Sequence, residues 1–166
     1  MKFPICQVCL KSEILCNGCA EKVGQAEIKA DEIELYRRLN KFFANQISLK
    51  NVEIKRAVGK KTVIIVTRNE DVSRLIGKGG YNVKKLAKEL GIPLRIIAQP
   101  SDVRDFVTEV LFTVPILGIN ILYKPDGNIF RVRIPRIYRT RLPVSSEVLA
   151  SMSHSLFNAD IDVVFE

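Results

Sequence analysis

Ile76-Gly77-Lys78-Gly79-Gly80 lies between two segments of helical periodicity, and its reading decides the rest of the chain. Upstream, Glu70 and Asp71 put acids in a first helical turn, and Val72, Leu75 and Ile76 fall at i, i+3 and i+4 on one apolar face. Downstream, Val83, Leu86, Ala87 and Leu90 repeat that spacing, Lys84, Lys85 and Lys88 take the outer face, and Gly91 and Pro93 end the segment. Two helices joined by a bend short of side chains expose backbone N–H groups and a helix start, both of which attract anions. Gly77 and Gly80 permit close backbone approach, and Lys78 adds a point charge suited to phosphate. A nucleotide-binding P-loop needs wider glycine spacing and a hydroxyl after its lysine, and a dinucleotide fingerprint follows a strand, so neither fits.

Working outward, Asp31 with Glu34 reads as a capping box that opens a helix over about 31–46, with Ile33, Leu35, Tyr36, Leu39, Phe42, Phe43 and Ile47 on its apolar face. Residues 51–58 alternate polar with apolar and 62–67 are a β-branched run, so a pair of strands is expected around Gly59-Lys60-Lys61, with a third strand at 94–98. The order helix, strand, strand, helix, GXXG loop, helix, strand over residues 31–98 resembles the type II KH fold. The chain is similar to archaeal NusA-like proteins, short chains with two such domains in tandem. That resemblance implies single-stranded RNA in the groove between the helix–loop–helix and the sheet. It makes Gly77, Lys78, Gly79 and Gly80 the clamp and puts Ile76 on the groove side. The residues themselves suggest that Arg74, Lys84 and Lys85 add charge along the same edge; a solvated helix face is the alternative.

Pro100-Ser101-Asp102 interrupts the pattern and marks a boundary. Beyond it a helix over 102–113, a hairpin of 119–123 and 129–134 about Pro125-Asp126-Gly127-Asn128, a helix capped by Ser145 or Ser146, and a strand at 161–165 repeat the order. The expected organisation is α+β: a cysteine module at 1–24, a type II KH domain at 31–99 and a degenerate KH-like domain at 101–166. The second copy lacks the glycine loop. In its place Arg131, Arg133, Arg136, Arg139 and Arg141 occur within eleven residues without an acid, and Tyr138 is interleaved. Guanidiniums pair phosphates and a ring stacks a base, so an RNA surface is expected; the alternative is a basic loop packed against acids or a protein partner.

All four cysteines fall in the first nineteen residues, as Cys6-x2-Cys9 and Cys16-x2-Cys19. Two such knuckles can converge four thiolates on one tetrahedral, structural Zn²⁺; disulfides and an iron–sulfur cluster are the alternatives. A net charge of +8 and a pI near 9.5 point to an anionic partner. No apolar run is long enough to span a membrane, and the N-terminus carries no export signal, so a cytoplasmic protein is expected. Catalytic residues are scarce: the lone histidine, His154, has no motif beside it, and no enzyme is expected. The function anticipated is RNA binding in transcription elongation or termination. The alternative is an adaptor whose knuckles dock RNA polymerase or the ribosome, in RNA processing or ribosome assembly.

Overall fold

The run Val63-Ile64-Ile65-Val66-Thr67 carries no polar alternation, which is the mark of a strand covered on both faces. The computed structural model, which describes residues 1–166, makes it β2 (Val63–Thr67), the fully buried centre of a three-stranded sheet. The chain divides into two compact units, Met1–Gln99 and Pro100–Glu166. In the first, α1 (Gln7–Lys11) and α2 (Asn17–Gly24) carry the cysteines, and α3 (Ala30–Phe43) leads to β1 (Ile54–Val58) and β2. Then come α4 (Asn69–Ile76), a 3₁₀ turn at Lys78–Gly80, α5 (Tyr81–Leu90) and β3 (Leu94–Ala98). β1 pairs antiparallel with β2, but β3 pairs parallel, Val63 opposite Leu94 through Thr67 opposite Ala98. A parallel neighbour cannot be reached by a tight turn, so α4, the glycine bend and α5 together form the crossover.

α3 packs Tyr36 and Leu39, both without solvent exposure, into the core of this unit. It is tied to β1 through Glu32, which accepts hydrogen bonds from the Tyr36 hydroxyl at 3.1 Å and from Arg56 Nη2 at 3.0 Å. Burial and the adjacent Glu32 carboxylate push the Tyr36 phenol above its ordinary range. The expected capping box does not form: the helix begins a residue earlier, Lys29 is its N-cap, and Asp31 and Glu32 sit in the first turn. Ile47, expected on the helical face, lies in a 3₁₀ turn (Ile47–Leu49) and is exposed. The strand expected from residue 51 begins at Ile54, because Glu53 bridges to Lys2. Residues 20–24 complete α2.

The second unit repeats the scheme with α6 (Val103–Val110), β4 (Gly118–Lys124), β5 (Gly127–Ile134), a 3₁₀ turn (Arg136–Tyr138), α7 (Ser146–Phe157) and β6 (Asp160–Phe165). β4 and β5 are antiparallel, β5 and β6 parallel, in the order β4-β5-β6. Asp102 caps α6 by accepting from the Asp105 amide at 2.9 Å, and Ser145 caps α7 through the Val148 amide at 3.4 Å. One helix is missing relative to the first unit. Where α4 and the glycine bend would stand, the chain makes only the 3₁₀ turn and a proline-bounded loop.

The start of α4 is held by a buried carboxylate. Asp71, fully buried, accepts from the Glu53 amide at 3.1 Å and from Arg68 Nε at 2.7 Å, while Arg68 Nη2 also donates to the Asn51 carbonyl at 2.8 Å. Burial opposes the charge on Asp71, but the Arg68 guanidinium and the Glu53 amide outweigh it and hold its pKa below the usual aspartate range. A carboxyl whose pKa is lower folded than unfolded stabilises fully above about pH 4 and loses that contribution as the pH falls. We therefore expect Asp71→Asn to cost about 2 kcal/mol near neutral pH, because it removes the buried carboxylate closest to Arg68 and leaves only the more exposed Glu53 and Glu70 beside it. Urea denaturation from pH 7 down to pH 3 should show the gap to the parent protein closing with acidification.

Candidate nucleic-acid interface and metal site

The bend begins where α4 runs out. The Gly77 amide still donates to the Ser73 carbonyl at 3.0 Å, but Gly77 itself turns to φ 74°, ψ 167°, a conformation essentially closed to other residues. A Cβ at this position would stand 2.8 Å from Asn82 Nδ2. Gly79 (φ 61°) and Gly80 (φ 75°) are also left-handed, and the Gly80 amide closes the turn on the Gly77 carbonyl at 3.0 Å. Lys78 and Gly79 are exposed, and Gly77 and Gly80 are half-buried, so the backbone of the bend is open to a ligand. Asn82 Nδ2 donates to the Arg74 carbonyl at 3.2 Å, which caps the end of α4 and fixes the angle between the two helices. Sequence reasoning missed this residue; its only signal was an amide side chain two places after Gly80.

Between Ser73 and Lys88 there are five cations, Arg74, Lys78, Lys84, Lys85 and Lys88, and no acid. They do not form one group. Lys84 lies beside the bend, its Cε 3.8 Å from where a Gly80 Cβ would be. Lys85 turns away, its ammonium 5.8 Å from the Phe42 ring of α3. Arg74 is exposed but partly drawn inward, with Nη1 3.7 Å from Asp71 Oδ1. Ile76 is half-buried at the end of α4.

The arginines of the second unit also separate. Arg131 and Arg133 sit on β5, where Arg131 Nε meets Asp162 Oδ2 at 2.9 Å and Arg133 Nε donates to both Glu166 carboxylate oxygens at 3.0 Å. The register of β5 against β6 makes this pairing, for Arg131 lies opposite Asp162. Arg136, Arg139 and Arg141 are exposed in the turn and loop after β5, with Tyr138 half-buried among them.

The cysteines form a near-symmetric pair of knuckles. Cys6 and Cys16 occupy the N-caps of α1 and α2, with almost equal backbone angles, and Cys9 and Cys19 follow on the first turns. The Cys16 amide donates to Cys9 Sγ at 3.1 Å and the Cys6 amide to Cys19 Sγ at 3.4 Å, so each knuckle orients a sulfur of the other. All four Sγ atoms lie within 4.8 Å of one another, with Cys6 to Cys9 at 3.4 Å and Cys6 to Cys16 at 3.9 Å. Sulfurs at the corners of a tetrahedron around a metal at the usual bond length would be about 3.8 Å apart, so the donor set fits a tetrahedral ion. The Cys9 amide and thiol draw the Cys6 pKa down to about 7. Cys9 is pulled down by the Cys16 amide, but burial and the adjoining thiols push it up to about 12. Four sulfurs this close ionise together only around a cation.

The module is not a detached appendage. Ile5, Cys9, Leu10, Cys19 and Ile28 belong to the same buried cluster as Tyr36 and Leu39, and the Cys9 carbonyl accepts from Arg37 Nε at 3.1 Å. If the four sulfurs hold a metal ion, elemental analysis should find one equivalent in the parent protein and none in Cys9→Ser, and a strong chelator should lower the melting temperature by more than about 5 °C. The bend makes a second expectation. Gly77→Ala should destabilise by about 2–3 kcal/mol in chemical denaturation, since backbone strain and the Asn82 clash add. Gly79→Ala, with open space around it, should cost only about 1 kcal/mol.

Residues 34–111 match the family model described as KH domain. No curated protein matches the chain. Among solved structures the crystal structure of APE1850 is similar, with a TM-score of 0.59 and 18% identity over 84% of this chain and 100% of that one, a likeness of fold. The family match takes in α3's later turns, all three strands of the first sheet, the glycine bend and α6. The matched region contains the crossover bend from Gly77 to Gly80, and the chain combines this KH domain with a four-cysteine cluster suited to a metal ion.

Proposed function

We propose that this protein binds single-stranded RNA by contact alone, with the backbone of Gly77-Lys78-Gly79-Gly80 gripping the sugar–phosphate chain. The observation that carries the reading is the open bend itself: three glycines at positive φ, Gly77 in a conformation closed to other residues, at the start of a helix whose first two turns hold cations and no acid. Lys78 and Lys84 supply charge to the phosphates at the bend, Arg74 extends it along α4, and Ile76 borders the groove. Lys85 contributes less, because it is engaged over Phe42. KH domains are non-catalytic modules, and this chain acts by holding RNA rather than by changing it.

The second unit is read as a degenerate KH-like copy that shares the strand and helix order but has lost the clamp. Arg136, Arg139 and Arg141 with Tyr138 offer it a separate phosphate and base contact, whereas Arg131 and Arg133 serve the sheet through Asp162 and Glu166. The four thiolates hold a structural Zn²⁺, which with four protein ligands has no vacant position for water. By the resemblance to archaeal NusA-like proteins, the RNA is a transcript and the setting is transcription elongation or termination in the cytoplasm.

The geometry of the bend dictates the decisive variant. Gly77 and Gly80 must stay, but Lys78 and Gly79 are exposed and nothing lies within 4 Å of a Cβ at Gly79. Lys78→Asp with Gly79→Asp therefore puts two acids in the clamp with modest strain, since aspartate tolerates the left-handed region. Affinity for a single-stranded oligonucleotide should fall by about a hundredfold or more, with little change in the melting curve. For the parent protein, log K should fall with log salt at a slope of roughly −2, as expected for about three phosphate contacts to a single strand. Unchanged affinity in the double variant would remove the clamp.

A further inference from the structure

The chain has four tyrosines and no tryptophan, and one tyrosine follows the bend directly. Tyr36 is buried against Glu32, Tyr123 lies on β4 and Tyr138 is half-buried. Tyr81 opens α5 immediately after Gly80, is 64% exposed, and its ring and hydroxyl have no partner in the chain. A single exposed ring is ordinary on a protein surface. This one differs in its setting, because its Cα is about 3.8 Å from that of the last glycine of an open, anion-attracting bend. It also heads the stripe Tyr81, Lys84, Lys88, at i, i+3 and i+7 on one side of α5, with the Lys84 stem against the bend.

We propose that Tyr81 stacks on a nucleobase of the strand whose backbone the bend holds. The inference rests on the reading of Gly77–Gly80 as a clamp. A strand held at its phosphates by backbone amides leaves its bases free, and a flat aromatic face one residue from the clamp meets the base of a held or adjoining nucleotide. Lys84 and Lys88 then carry the continuing phosphates along the helix. Every base has a π-face, so this contact adds affinity for base-bearing strands while tolerating many sequences. It would give the domain a term that depends on bases and not on salt, beside the clamp's term, which depends on salt and not on bases.

The two terms are separated by a short oligoadenylate and an abasic sugar–phosphate strand of the same length. The parent protein should bind the oligoadenylate roughly tenfold more tightly than the abasic strand. Tyr81→Ala should remove most of that ratio and leave abasic binding and the salt slope unchanged. Tyr81→Phe, which keeps the ring, should preserve it. Tyr81→Trp places a lone indole in a tryptophan-free chain, and its emission should be quenched by the oligoadenylate and not by the abasic strand. A ratio unaltered in Tyr81→Ala, or an indole blind to the base-bearing strand, overturns the stacking assignment while the clamp stands. Failure of the parent protein to bind either strand overturns both.

Discussion

The parallel alignment of β2 and β3 is the constraint from which the first unit follows. Hydrogen bonding Val63 through Thr67 beside Leu94 through Ala98 obliges the chain to leave one end of the sheet and return to the other. Helices are the economical way to span that distance, and two short ones need a sharp corner between them. The corner is Gly77 to Gly80. It is therefore fixed by the sheet at both ends: α4 begins two residues after β2 ends at Thr67, and α5 ends four residues before β3 starts. A loop tied down in this way presents its backbone in one shape, which spares a ligand the cost of ordering it.

Charge around the corner is sorted by burial and pairing. Of the two acids in the first turn of α4, Asp71 is turned inward, where Arg68 and the Glu53 amide hold it and it locks the start of the helix, while Glu70 pairs with Arg68 Nη1 at 2.9 Å. Lys78, Lys84 and Lys88 are exposed, while Lys85 lies over Phe42. On β5 of the second unit the arrangement is the opposite, for Arg131 and Arg133 face acids across the sheet and their charge is spent within the fold. Two runs of basic residues that look alike in sequence thus differ in what they leave available.

The cysteine module solves a different problem. Nineteen residues cannot bury a core of their own, and α1 and α2 are too short to persist as isolated helices. The reciprocal amide-to-sulfur bonds and the convergence of four thiols substitute for that missing core. The module then lends Ile5, Leu10 and Ile28 to the packing of α3, so a local cluster of sulfur supports the helix on which the sheet rests.

Much of this was written in local patterns. The two helices flanking the bend, the β-branched centre of the sheet, the hairpin around Pro125 and Asp126, a serine cap at 145 or 146 and the paired knuckles all follow from spacing and residue type, since each depends on neighbours within a few positions. The misread places depend on distant partners: the start of α3, where Glu32 is committed to Arg56; the late start of β1, where Glu53 bridges to Lys2; and the fate of Arg131 and Arg133, which register against β6 decides. Asn82 belongs with them, for only the fold shows that its amide reaches back to α4. The sequence by itself determined that a glycine corner with basic flanks sits between two helices, because glycine content and helical period are properties of adjacent residues. Which of those charges stay free, and which aromatic ring faces outward beside the corner, was decided by tertiary structure, because burial and ion pairing are set by residues far away along the chain.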